Sequence, residues 1–157
     1  MKAKKYPTQE RIKELFTYEN GNLFWREKPS KRIKKGSLAG VVNGRGYNII
    51  RCFGLQYQTH RLIWIYFNGN VENQSLDIDH INQIRSDNRI DNLRLITHSK
   101  NLWNSDKAKG YCFSRGRYVA RINVNYKSIY LGHFDIEQEA RNAYLKAKEK
   151  YHIIEVI

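Results

Sequence analysis

Apolar and polar positions along the chain follow two different periods, and the switches between them mark its elements. In residues 8–18, TQERIKELFTY, Ile12, Leu15 and Phe16 recur at helical spacing behind Thr8, a residue type that caps helix N-termini, so a short helix is predicted. Asn20-Gly21 breaks it, and residues 22–26, NLFWR, read as a strand. Strand-like pieces follow near 38–42, 46–53 and 55–60, punctuated by Asn43-Gly44, Gly46 and Gly54, which is the pattern of an antiparallel meander. Residues 60–68, HRLIWIYFN, form an unbroken apolar run closed by Gly69. A run of that length suits a buried helix or a central strand, and helix is the expectation.

Further on, residues 76–81 are extended, 82–88 are rich in turn formers, 90–96 read as a second strand, and a helix starts near Thr97 or His98. Strand, loop, strand and helix make a ββα unit. The stretch 104–110, NSDKAKG, is small and polar and reads as a linker. In RYVARINVN, Tyr118, Ala120, Ile122 and Val124 alternate with Arg117, Arg121, Asn123 and Asn125, the period of a half-buried strand. A turn at Asn125-Tyr126 leads into KSIYLGHF, and a helix with Asp135 as N-cap carries Ile136, Ala140, Ala143, Tyr144 and Ala147 on one face. The expected fold class is α+β: a β-rich N-terminal part merging into the ββα unit, then a small three-stranded antiparallel sheet packed on one helix. The expected domains are 1–105, with the ββα core at about 76–104, and 106–157.

Composition narrows the class. Hydrophobic residues make up 41% and charged residues 27% of 157, a globular balance. No apolar run approaches the roughly 20 residues a spanning helix needs, and the basic start MKAKKYPTQE is followed by no signal-peptide core. A soluble, cytoplasmic protein without a targeting signal is the expectation. Cys52 and Cys112 stand apart in strand-like segments and are expected to be small buried apolar groups, with neither a disulfide framework nor a zinc knuckle.

Charge changes the picture more. Lys and Arg number 28 against 15 Asp and Glu, a formal +13, and such an excess points to a polyanionic partner. Six basic residues crowd Arg26–Lys35 and seven lie between Lys100 and Lys127, while Glu72–Asp91 holds five acids. An acidic patch between basic arms calls for a cation or a structural reason. The loop residues Lys31, Arg32, Lys34 and Lys35 are candidate phosphate contacts, or simply a solvated basic loop.

The acidic patch coincides with the ββα unit. Asp79-His80 lies on its first strand, Asn92 begins the core of its second, and Asn101 falls in its helix, with spacings of twelve and then nine positions. Singly, these residues suit a solvated strand, a turn and a helix surface. Together the pattern closely resembles the HNH nucleases, especially bacteriophage and intron-encoded homing endonucleases, over residues from about His60 to Asn104. A usual Asp-Gly after the His-bearing strand is Asn82-Gln83 here. The resemblance implies His80 as general base and Asn92 as the residue that pins the loop bearing it. Asp79 and Asn101 would be oxygen ligands for one Mg²⁺ or Mn²⁺. Arg61 and Arg85 are candidate clamps on the scissile phosphate. His60 matches the histidine of the family's HRL segment, for which packing or hydrogen bonding is the expected role. His98 is expected to cap or pack at the helix start, and Asp77, Asp87 and Asp91 to be turn and solvent groups.

Residues 109–151 resemble the DNA-binding domain of plant ethylene-response transcription factors, through K-G-Y at 109–111, Y-V-A-R-I-N at 118–123, Y-L-G-H-F at 130–134 and E-A-x-x-A-Y at 139–144. The resemblance implies a sheet whose open face enters the major groove of duplex DNA. Alternation turns Arg117, Arg121, Asn123, Ser128 and Tyr130 outward on that face. The expected activity is site-preferring, homing-type cleavage of double-stranded DNA, with no small-molecule cofactor and no membrane partner. A monomer with one centre would nick, and a double-strand break would need a dimer or two successive events. The competing expectation is a non-catalytic DNA-binding protein built on a decayed HNH scaffold.

Overall fold

The computed structural model describes residues 6–28, 30–71, 76–104 and 108–153. Outside the described residues lie the basic start, Pro29 of the basic loop, Glu72 of the acidic segment, and linker residues 105–107, where the expected domain boundary falls. The chain divides into two compact units, Met1–His98 and Ser99–Ile157.

In the first unit, α1 spans Gln9–Leu15 and Thr8 caps it by accepting from the Arg11 N–H. The helix is shorter than its pattern predicts. Phe16–Glu19 is strand β1, paired with β2 (Asn22–Trp25) across Asn20-Gly21. Both turn residues have positive φ, 46° and 83°, the two-residue turn whose twist matches paired strands, so Asn-Gly makes a hairpin here and the hairpin overrides the helical spacing of Phe16. Gly21 is obligatory for a second reason: a Cβ there would lie 2.9 Å from the Arg89 nitrogen and 3.2 Å from the Asn88 carbonyl carbon.

Strands β3 (Val41–Val42), β4 (Asn48–Cys52) and β5 (Leu55–Gln58) form the expected antiparallel meander. The apolar run is helix α2, Thr59–Asn68, ended by Gly69 at φ 78°. Thr59, His60, Leu62, Ile63 and Ile65 are buried on it, and Leu62 and Ile63 join Ile12, Phe16, Leu23 and Ile50 in one core.

Strand β6 (Leu76–His80) pairs antiparallel with β7 (Leu93–Thr97), and α3 (His98–Trp103) follows. The second strand starts later than expected, because Ile90–Asn92 close the loop as a turn of 3₁₀ helix; Asn92 ends that turn and does not open the strand.

The second unit contains β8 (Tyr111–Ser114), β9 (Arg117–Val124) and β10 (Lys127–Phe134) with β9 central, and α4 (Glu137–Tyr151) packed on the sheet. Ile122, Tyr144 and Ala147 form its core, with Val124, Ile129 and Leu131 against them. Asp135 does not cap α4. Ile136 occupies the N-cap, and Asp135 accepts two hydrogen bonds from Arg117 at 2.7 and 3.0 Å. Cys52 is buried as expected, whereas Cys112 is exposed, on the strand face away from α4 and opposite Val119.

Candidate active site

The loop joining β6 to β7 is tied almost residue by residue. The Ile81 N–H donates to the Asn92 carbonyl at 2.9 Å and the Gln83 N–H to the His80 carbonyl at 3.0 Å. Asn92 is the centre of the network. Its Oδ1 accepts from the Asn82 N–H at 3.1 Å, and its amide donates to the Asn82 Oδ1 at 3.0 Å and the Asp87 carbonyl at 2.7 Å. A single side chain therefore closes the loop that follows His80. Asp87 is held well below the usual carboxylate range, chiefly by the Arg89 guanidinium and further by the Asn82 amide. Gln83, where the resemblance expects glycine, adopts φ 64°.

Adjacent strand residues face opposite sides of a ribbon, and Asp79 and His80 accordingly meet different neighbours. Asp79 lies opposite Arg94 in the β6–β7 register, and its Oδ2 accepts from the Arg94 Nε at 2.9 Å and Nη2 at 2.8 Å. Both side chains are about nine-tenths buried. His80 is also buried. Its Nε2 lies 3.0 Å from the Asn88 Oδ1, and its ring meets the His60 ring edge-on at 4.9 Å and the Tyr47 ring at 6.3 Å. His60 is 4% exposed, and burial, then the neighbouring His80 and Arg61, pulls its pKa down to about 3. The buried ring is therefore held in its neutral form.

Asp77 is not a simple solvent group: it pairs with His98 at 2.7 Å and lies 3.9 Å from Arg61. His98 thus ties the start of α3 to β6. Arg85 donates to the Arg45 carbonyl at 2.9 Å and stacks over Tyr47 at 4.9 Å, which holds its guanidinium beside the loop. Asn101 sits half-buried in α3. Lys31, Arg32, Lys34 and Lys35 are all exposed on a loop laced to β2 by the Trp25 N–H to Ser37 and Gly36 N–H to Trp25 bonds.

On the second unit, Arg117, Arg121, Asn123, Ser128 and Tyr130 are exposed. Arg121 pairs with Tyr130 and Asn123 with Ser128 across β9 and β10, so these four share one face of the sheet, with the Arg121 guanidinium 6.0 Å from the Tyr130 ring centre. The Tyr130 hydroxyl bonds to the His133 Nδ1.

Two residues of this geometry carry no sequence signal of their own. Arg94 could have been found only by knowing the register that sets it against Asp79. Asn88, inside a turn-rich run, looks like any other loop asparagine until the fold buries it against His80.

Residues 57–102 match the family model described as HNH endonuclease, a stretch that runs from β5 to α3 and contains Asp79, His80, Asn92 and Asn101. No curated protein and no solved structure matches the chain. The match points to a nuclease acting on DNA. HNH nucleases use a divalent metal. Among the described residues no three His, Cys, Asp or Glu side chains gather to hold one. Asp79 is a buried carboxylate, a donor type that suits a hard cation, and its Oδ2 is engaged by Arg94. Mg²⁺ characteristically keeps several waters and substrate phosphate oxygens in its shell, so few protein ligands suffice. No helix among the described residues is long and apolar enough to cross a membrane.

Proposed function

We propose that the protein is a metal-dependent endonuclease that hydrolyses phosphodiester bonds of double-stranded DNA. The observation that carries this reading is the buried Asp79-His80 pair at the mouth of a loop stapled by Asn92, inside the stretch that matches HNH endonucleases. His80 takes the proton of the water that attacks phosphorus, a task that a ring nitrogen of an imidazole can perform. The P–O3′ bond breaks, leaving a 5′-phosphate and a 3′-hydroxyl. Asn92 keeps the loop closed, so that the His80 backbone does not drift. Asp79 would hold the Mg²⁺ or Mn²⁺ ion, which would supply positive charge for the phosphate and the departing oxygen, and Asn101 is the further oxygen ligand that the HNH resemblance implies. Arg85, steadied by Tyr47, contributes a further positive charge to the phosphate, and Arg61 lies at the entrance of α2 for the same purpose.

The second unit is read as the DNA-recognition domain. A three-stranded sheet with Arg121, Asn123, Ser128 and Tyr130 on one open face has the width to enter the major groove, where Arg suits guanine and Asn suits adenine. Arg117, tethered to Asp135, suits a fixed phosphate contact. The basic loop Lys31–Lys35 adds backbone contacts. Joint binding by two modules gives the site preference of a homing-type enzyme, and one centre per chain gives a nick.

Digestion of phage genomic DNA, with end-mapping of the products, tests this directly. Discrete breaks bearing 5′-phosphates in Mg²⁺ or Mn²⁺, absent in EDTA and in Asp79→Ala, are expected. Binding that shifts the DNA without any break in either metal would favour a decayed scaffold that only binds.

A further inference from the structure

An exposed arginine ordinarily keeps its side chain mobile, because fixing it gives up rotamer freedom. Arg85 is exposed, in the loop that follows His80, yet the meander holds it at two points from 40 residues away in the chain. Its Nη1 donates to the Arg45 carbonyl at 2.9 Å, and its guanidinium carbon lies 4.9 Å from the centre of the Tyr47 ring. A Cβ on Gly46 would lie 4.0 Å from the Arg85 Cδ, so the arginine stem runs along the turn between β3 and β4.

That turn is itself closely tied. The Asn43 Oδ1 accepts from the Arg45 N–H at 2.9 Å and the Tyr47 N–H at 3.1 Å. The Asn43 N–H donates to the Tyr47 carbonyl at 2.8 Å, and the Gly46 N–H to the Asn43 carbonyl at 2.9 Å. The Tyr47 ring centre lies 5.7 Å from that of His60 and 6.3 Å from that of His80. One ring therefore adjoins both the candidate base and the Arg85 guanidinium.

Charge gives this arrangement a direction. Arg45 is exposed like Arg85, and neither has a carboxylate partner among the described residues. The acids of the ββα unit are engaged elsewhere: Asp87 pairs with Arg89 at 2.7 Å and Asp79 with Arg94 at 2.8 Å. Two uncompensated cations on one turn repel until an anion neutralises them. A neutral donor such as glutamine could staple the loop to the Arg45 carbonyl without that repulsion.

We infer that the Asn43–Tyr47 turn is a phosphate-binding element of the site, in which Arg45 and Arg85 together hold the DNA backbone beside His80 and Tyr47 is the positioning residue that sets Arg85 for it. A side chain already held in place gives up less freedom on binding than a mobile one. This rests on the nuclease reading above, but its readout is binding and not cleavage.

The test is fluorescence anisotropy of the full chain on a short random-sequence DNA duplex in EDTA, repeated over a range of NaCl concentrations. Each phosphate contact adds about 0.9 to the slope of log affinity against log salt, so Arg45→Ala and Arg85→Ala should each make the slope shallower by about that amount. Lys146→Ala, which removes an exposed charge from α4, should leave it unchanged. Tyr47→Leu should weaken binding about two- to five-fold in the wild-type background and not at all in Arg85→Ala. Tyr47→Phe keeps the ring and should bind as wild type. An equal effect of Tyr47→Leu in both backgrounds would overturn the positioning role. Wild-type slopes in both arginine variants, or the same loss in Lys146→Ala, would overturn the phosphate element, and these exposed positions decide that even if Tyr47→Leu does not fold. Slopes as stated with no DNA break in Mg²⁺ or Mn²⁺ would leave the phosphate element standing and remove the nuclease reading. Metal-dependent cleavage with unchanged slopes would remove the inference alone.

Discussion

Replacing Arg94 with methionine keeps much of the side chain's bulk and removes its charge. The consequence follows from where Asp79 is left. Its carboxylate is about nine-tenths buried and accepts two hydrogen bonds from the one guanidinium. Breaking a buried pair by removing one partner costs about 3–5 kcal/mol, because the other charge stays buried without its counterion. In a unit of this size each kcal/mol shifts the melting temperature by about 4–8 °C, so a drop of roughly 12 °C or more is expected. Urea unfolding followed by tryptophan fluorescence measures this, in a Trp103→Phe background so that the signal comes from Trp25 and Trp64 of the first unit. Asp79→Asn combined with Arg94→Met removes both charges and should recover at least half of the loss, as expected when two residues are coupled. A loss below about 1 kcal/mol for Arg94→Met would refute burial of the charge as the reason. A full loss with no recovery in the double variant would assign the effect to packing.

Other consequences are as specific. His60 is neutral in the folded state down to about pH 3, whereas an unfolded histidine takes up a proton near pH 6.5, so stability falls as pH drops through that window. Between pH 7 and pH 5 the wild type should lose about 2 kcal/mol more than His60→Phe, measured by urea titration at both pH values; equal losses would show that His60 is not shielded. Gln83→Gly relieves a left-handed residue at φ 64° and should stabilise the first unit by about 1 kcal/mol, whereas a destabilised variant would mean that the Gln83 side chain matters more than its backbone. Gly110→Ala would set a Cβ 1.9 Å from the Tyr144 ring at a φ of +77°, costing about 3 kcal/mol or more; limited proteolysis should show residues 108–153 cleaved while the first unit persists.

How much of this was legible in the sequence depended on how local each signal was. The α2 run, the meander and the C-terminal sheet followed from apolar period and from Gly- and Asn-marked turns. Helical spacing overextends the N-terminal helix because Phe16 fits a helical face as well as a strand, and the hairpin that claims it is decided by pairing with Trp25. The β7 boundary slipped by three residues because Ile90–Asn92 carry strand-like side chains but close a tethered loop. Position alone makes Asp135 a cap, while Arg117, eighteen residues earlier, takes its carboxylate. Within the site, Asp79, His80, Asn92 and Asn101 were visible because their spacing along the chain is itself the signal. Arg94 and Asn88 were not, since a cross-strand register and the burial of one loop asparagine exist only after folding.

The central claim is that the Asp79-His80 pair cuts DNA, and a supercoiled-plasmid assay tests it most directly. Purified protein is incubated with plasmid carrying phage-derived inserts in Mg²⁺, in Mn²⁺ and in excess EDTA, beside His80→Ala with matched folding by circular dichroism. Metal-dependent conversion to the open-circular form, lost in EDTA and in His80→Ala, is the expected result. Equal conversion by His80→Ala would contradict the assignment of the base, and no conversion by a wild type that still shifts the same DNA would contradict the nuclease itself.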